Sequence, residues 1–223
     1  MTGPVKSSAA TACFATVVAL LIWAALLLQL WLTMGVVISQ GRGFAMGLVV
    51  YFGFFTVLTN LLAALCISAF AVDKKVPGYR IATHPVTLST VAAAITMVGL
   101  VYFLVLRHTW RPEGAQFVAD AALHYVNPIL AVLFWFVVMP AGAVTWRALP
   151  WLFAYPLIYL VYVFGRGEIF KIYPYFFIDV GQIGYGLAMR NSLGVLLAYG
   201  LVLAVLLGLK NLLKRFKQSK RRQ

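Results

Sequence analysis

Acidic residues are scarce: the 223-residue chain holds five Asp and Glu, and all charged residues together make up 10%. An ordinary soluble domain carries about 25% charged and roughly 45–50% apolar residues, whereas here the apolar share is 63%. That imbalance excludes a soluble globular domain and a disordered chain. Cysteine is almost missing as well. Cys13 and Cys66 both sit within apolar runs, where a free Cys acts as a small hydrophobe, so a disulfide scaffold is excluded and the redox compartment is left open. The three histidines form no Cys/His cluster with metal-ligand spacing. The chain also lacks HExxH, GxSxG and a glycine-rich phosphate loop. No repeat of 20–50 residues is visible, nor the inverted pairing found in many transporters.

What the sequence does have is long apolar runs. At about 20 apolar residues per crossing, its length allows six or seven spans and no separate soluble domain. Runs bounded by charge, Gly or Pro place spans at 12–38, 48–72, 85–106, 120–140, 148–164 and 192–212, with a basic tail at 213–223. The first run is roughly twice as long as the apolar region of a cleavable signal and is expected to be retained. The fold expected is an all-α, six-helix transmembrane bundle, with residues 1–223 forming a single membrane domain.

The net charge of +13 suggests nucleic acid until the charges are sorted, because seven of the eighteen Lys and Arg fall in the last fourteen residues. Lys6, the 73–84 loop (Lys74, Lys75, Arg80), Arg147 and the tail (Lys210, Lys214, Arg215, Lys217, Lys220, Arg221, Arg222) hold twelve. The opposite side holds Arg42, Arg107, Arg111, Arg166, Lys171 and Arg190. The positive-inside rule then puts both termini in the cytoplasm, in the cell (plasma or inner) membrane, with the tail on anionic lipid and no nucleic-acid partner. Of the acids, Glu113, Asp120, Glu168 and Asp179 fall in the outer half and only Asp73 in the inner.

Between the fifth and sixth spans, residues 165–191 run to 27 residues, longer than a structureless connection in a compact domain. Aromatics with polar tips interleave with Asp179 and Gln182, which is expected of an interfacial or re-entrant segment buried against protein.

His124 is the first candidate for chemistry, since an ionisable residue inside a span is costly and points to function. Asp120, four residues earlier on the same helical face, is placed to hold the imidazole in one tautomer, and Asn127 lies three residues later. Thr56 is the second, in a polar patch with Thr59 and Asn60. Counted at 1.5 Å per residue from the outer ends of their spans, Thr56 lies about 12 Å deep and His124 about 6 Å, close enough to meet. A Thr hydroxyl becomes a nucleophile when a His takes its proton during attack, which points to acyl transfer or ester hydrolysis with a membrane lipid as substrate. An oxyanion donor is also required, and Asn60, Asn127 or Tyr173 could supply it. His84 and His108 stand at the ends of the third span. No metal or other cofactor is expected.

Three segments together resemble one family. FFTVLTN in the second span is similar to a Phe-x-Thr segment followed by Asn or Asp, HYVNPIL in the fourth to a His followed by Pro, and YPYFFID to a Tyr-Pro-aromatic stretch ending in an acid. Their order and spacing resemble the androgen-induced-protein family of six-span membrane proteins and its short bacterial relatives. The resemblance implies a threonine hydrolase that cleaves fatty acid esters, with Thr56 and His124 in the catalytic positions. Thr59 offers a second hydroxyl one turn on, Asn60 stands where some relatives have an acid, and the Tyr-Pro segment is longer here. The alternatives are a lipid-binding or small-ligand transport protein that uses the same polar cluster for a headgroup, and a structural partner in a complex.

Overall fold

The computed structural model describes residues 5, 8–72, 76–109 and 111–220. Lys6, Asp73, Lys74, Lys75, Arg221 and Arg222, used above to sort the charges, lie outside the described residues. The architecture is all-α. In chain order the helices are α1 (Ala9–Ser39), α2 (Phe44–Tyr51), α3 (Phe55–Ser68), α4 (Tyr79–Ala82), α5 (Pro85–Leu104), α6 (Gly114–Ala121), α7 (Asn127–Val138), α8 (Leu149–Phe170) and α9 (Val180–Lys220). A π-helical turn at Ala122–Val126 joins α6 to α7. Among the described residues five of the resulting rods are long and apolar enough to cross a membrane, and the bent pair α2–α3, counted as one, makes six.

The outer faces of the rods carry large exposed apolar side chains such as Leu20, Trp31, Ile158, Val161, Leu197 and Leu201, the surface a lipid-solvated bundle needs. Helix α5 is the centre, packed against α3, α7, α8 and α9. In its most apolar stretch 61% of residues are buried, against 22–33% in the other long helices. Its Ala92, Ala93 and Ala94 are buried, and such small side chains let neighbouring backbones approach closely. Hydrogen bonds between helices tie the bundle further: Trp23 Nε1 to Ser68 Oγ, Trp135 Nε1 to Ser89 Oγ, Tyr51 OH to the Leu26 carbonyl and Tyr199 OH to the Leu152 carbonyl.

The second span corrects the sequence reading. A continuous helix over 48–72 was expected, but the chain bends by 80° between α2 and α3. Within apolar surroundings, carbonyls released by such a break need donors, and one face of α8 supplies them. Tyr159 OH donates to the Gly53 carbonyl at 3.0 Å, Tyr162 OH to Phe52 at 3.2 Å and Arg166 Nε to Val49 at 3.0 Å. These three residues recur at helical spacing, i, i+3 and i+7, so they share a face. Gly53 lets the elements close up, since a Cβ there would lie 2.6 Å from the Arg166 guanidinium carbon. Arg166, placed above in an outer loop, is therefore buried within α8.

The 165–191 stretch also differs from expectation. Helix α8 continues to Phe170 and ends at Lys171, whose φ of 54° is left-handed, and α9 begins at Val180. Only residues 171–179 connect them, with one 3₁₀ turn at Phe176–Ile178 that packs its Ile178 against Tyr159 and Val163. A second irregularity lies at Gly184, whose φ of 74° and ψ of 162° interrupt α9.

Candidate active site

The break in the second span puts Thr56 at the second position of α3, where backbone amides have no partner within the helix. The straight-helix depth count fails here, because α2 does not continue the line of α3. Thr56 is 6% exposed, and its Oγ1 lies 3.3 Å from Nε2 of His124.

His124 owes its placement to the π-helical turn. Pro128 has no amide hydrogen to give the His124 carbonyl four residues back, and its ring crowds that carbonyl. The Asn127 amide reaches back to the Ala122 carbonyl instead, five residues away, which leaves the Leu123 carbonyl outside the regular ladder. Asn60 fills that gap: its Nδ2 donates to the Leu123 carbonyl at 3.3 Å and to the Thr56 carbonyl at 2.9 Å. Asn127 Nδ2 in turn donates to Asn60 Oδ1 at 2.9 Å. Thus Asn60 clamps the helix bearing Thr56 onto the turn bearing His124. Gly99 of α5 lets this turn sit close, a Cβ there lying 3.3 Å from the His124 carbonyl oxygen.

The imidazole is oriented from its other side. Nδ1 lies 3.0 Å from the Asp120 carbonyl oxygen and 3.3 Å from Asp120 Oδ1. Both partners accept, so the tautomer is assigned with the hydrogen on Nδ1, leaving the Nε2 lone pair facing Thr56. The second carboxylate oxygen of the buried Asp120 accepts from Tyr102 OH. The Tyr102 ring also stacks on the imidazole, with centroids 4.0 Å apart at 17°. Thr56, His124, Asp120 and Tyr102 form one chain of donors and acceptors, and in such a chain an acid-oriented His can take a hydroxyl proton.

The other residues singled out in the sequence separate. Thr59 is fully buried and paired with Tyr155 OH at 2.8 Å. Asn60 Nδ2 is committed to two carbonyls and Asn127 Nδ2 to Asn60, and neither side chain lines the cleft beside Thr56, which removes them as oxyanion donors. Tyr173, the third candidate donor, gives its hydroxyl to Glu168 Oε1, and its burial and the neighbouring Glu168 carboxylate push its phenol up to about 12. Asp179 starts α9 by accepting from the Gly181 amide and from Gln182 Nε2. His84 caps α5 through Nδ1, and His108 pairs with Arg107. Among the described residues no group of three His, Cys, Asp or Glu is placed to hold a metal ion.

Tyr102 and Tyr175 are site residues that sequence reasoning missed. Tyr102 is 18 residues from Asp120, and nothing local links the two. Tyr175 stands two residues beyond the chosen Tyr173 in the same aromatic stretch, and its OH accepts from the Thr56 amide at 3.4 Å. Both Thr56 and Tyr175 line an open apolar cleft of about 690 Å³, a volume that includes its solvent-open mouth. Its walls come from α3, α5, α8, the connection 171–179 and α9, among them Phe55, Val98, Leu160 and Leu196. His124 stands behind Thr56 rather than in the lining. Compared with known proteins, the chain matches no family model, no curated protein and no solved structure.

Proposed function

We propose that this protein is an intramembrane hydrolase that cleaves fatty acyl esters of lipids, with Thr56 as nucleophile and His124 as general base. The observation that carries the reading is the 3.3 Å contact between Thr56 Oγ1 and His124 Nε2 at the wall of an apolar cleft. In the reaction, Thr56 Oγ attacks the ester carbonyl carbon, the C=O π pair moves onto oxygen, and the Thr56 proton passes to Nε2. Collapse of this tetrahedral species expels the alkoxide, which leaves as an alcohol with the proton from Nε2. Water then gives a proton to Nε2 and attacks the acyl-threonine. The second collapse releases the fatty acid and returns the proton to Thr56 Oγ.

The cleft supports a lipid as substrate. Apart from Thr56 and Tyr175, the hydroxyls along it are committed to backbone carbonyls: Tyr159 OH donates to Gly53, Tyr199 OH to Leu152 and Ser192 Oγ to Ala188. That lining suits an acyl chain and leaves a charged headgroup outside. The resemblance to the androgen-induced-protein family agrees with this reading and with membrane lipids as partners. The charge distribution supports a cell-membrane protein with both termini cytoplasmic.

The test is a screen of lipid esters with purified protein in detergent. Wild type is expected to release fatty acid, and Thr56→Ala and His124→Ala to lose at least 10³-fold in rate, on the order of what removal of an acylating triad residue costs. Full activity in either variant, or recovery of every bound lipid intact from wild type, contradicts the proposal and favours a lipid-binding protein.

A further inference from the structure

Within the hydrolase reading, Thr56 and His124 supply nucleophile and base, and the charge that develops on the carbonyl oxygen needs a donor of its own. From the cleft geometry we infer that the Tyr175 hydroxyl is that oxyanion donor. The inference rests on the reading of Thr56 as nucleophile.

Four observations carry it. Tyr175 and Thr56 line the same cleft, so a carbonyl carbon bonded to Thr56 Oγ1 presents its oxygen among groups that include the phenol. Tyr175 OH accepts from the Thr56 amide at 3.4 Å, and the Thr56 hydroxyl, the Phe55 amide and the Tyr159 hydroxyl also face that oxygen. Accepting from amides at the N-terminus of α3 polarises the phenol and strengthens its O–H as a donor. The ring is held in place by stacking on Phe177, 5.3 Å between centroids at 8°, and by an edge contact with Phe54 at 6.0 Å. Burial raises the Tyr175 phenol above its usual range, which keeps the proton on oxygen, as a donor must.

The competing donors are spent. Asn60 Nδ2 donates to the Thr56 and Leu123 carbonyls and Asn127 Nδ2 to Asn60, neither side chain lines the cleft, and Tyr173 is turned to Glu168. In the step itself no proton leaves Tyr175: its O–H donates to the oxyanion while Thr56 gives its proton to His124, and the hydrogen bond relaxes when the C=O reforms.

The experiment follows hydrolysis of a 4-nitrophenyl fatty acyl ester by the full chain in detergent, for wild type, Tyr175→Phe, Thr56→Ala and His124→Ala. Tyr175→Phe keeps the stacked ring and removes only the hydroxyl. Its kcat is expected to fall about 10²–10³-fold, the cost of losing one oxyanion donor, with KM little changed because the donor acts in the transition state. A Tyr175→Phe kcat within threefold of an active wild type overturns the role of Tyr175 and leaves Thr56 and His124 standing. A wild type with no Thr56-dependent turnover overturns the hydrolase reading and this role with it. A second measurement does not depend on folding of the variant: wild type should hydrolyse the ester much faster than the matching thionoester, whose sulfur accepts hydrogen bonds weakly. Equal rates on the two overturn the inference.

Discussion

At the scale of single residues, the site depends on what each polar atom has left to give. Asp120 accepts from His124 Nδ1 on one oxygen and from Tyr102 on the other, which fixes the imidazole with its Nε2 lone pair toward Thr56. Asp120→Asn replaces one acceptor by an NH₂ group and favours the opposite tautomer. Its kcat is expected to fall about 10³–10⁴-fold, as in triads whose orienting acid is neutralised, while the unfolding transition stays in place. Ester hydrolysis and thermal unfolding measured on the same preparation check this, and a kcat near wild type shows that Asp120 does not orient the base. The His, the Asp and the Thr were legible in the sequence because polar side chains stand out in apolar runs. Tyr175 was not, because eleven tyrosines occur in the chain and composition cannot separate a committed hydroxyl from one facing the cleft.

At the scale of elements, two departures from regular helix create the site. The π-helical turn follows from Pro128, a residue visible in the sequence, although the register shift it causes was not drawn from it. The 80° break in the second span was hidden, since YFGFF holds neither proline nor charge and its cause lies in α8. Tyr159, Tyr162 and Arg166 stabilise the broken ends, and Arg166 Nη1 also donates to the Ile172 carbonyl at 3.0 Å. Arg166 thereby joins the break to the connection that carries Tyr175. Gly53→Ala drives a methyl group into the guanidinium. It is expected to cost about 1–3 kcal/mol, as overpacking does, and to reduce hydrolysis by displacing both Thr56 and the 171–179 connection. Denaturant unfolding in detergent, paired with the ester assay, measures both effects. A variant as stable and active as wild type shows that Arg166 does not hold the break.

At the scale of the whole molecule, the number of spans and their apolar exteriors followed from the sequence because lipid imposes length and composition directly. The path of the chain at its irregular points did not follow, because breaks are stabilised by partners distant in sequence, as Val49 is by Arg166 across 117 residues. The bundle sets a buried Thr and Asp and a half-buried His beside an apolar cleft, and it is this combination that makes a lipid ester the expected substrate. The most direct measurement is the position of covalent capture. After reaction with a fluorophosphonate probe, mass spectrometry of the digested protein is expected to place the adduct on Thr56, and His124→Ala to abolish it. An adduct on Thr59 or elsewhere, or none on an otherwise folded protein, contradicts the account.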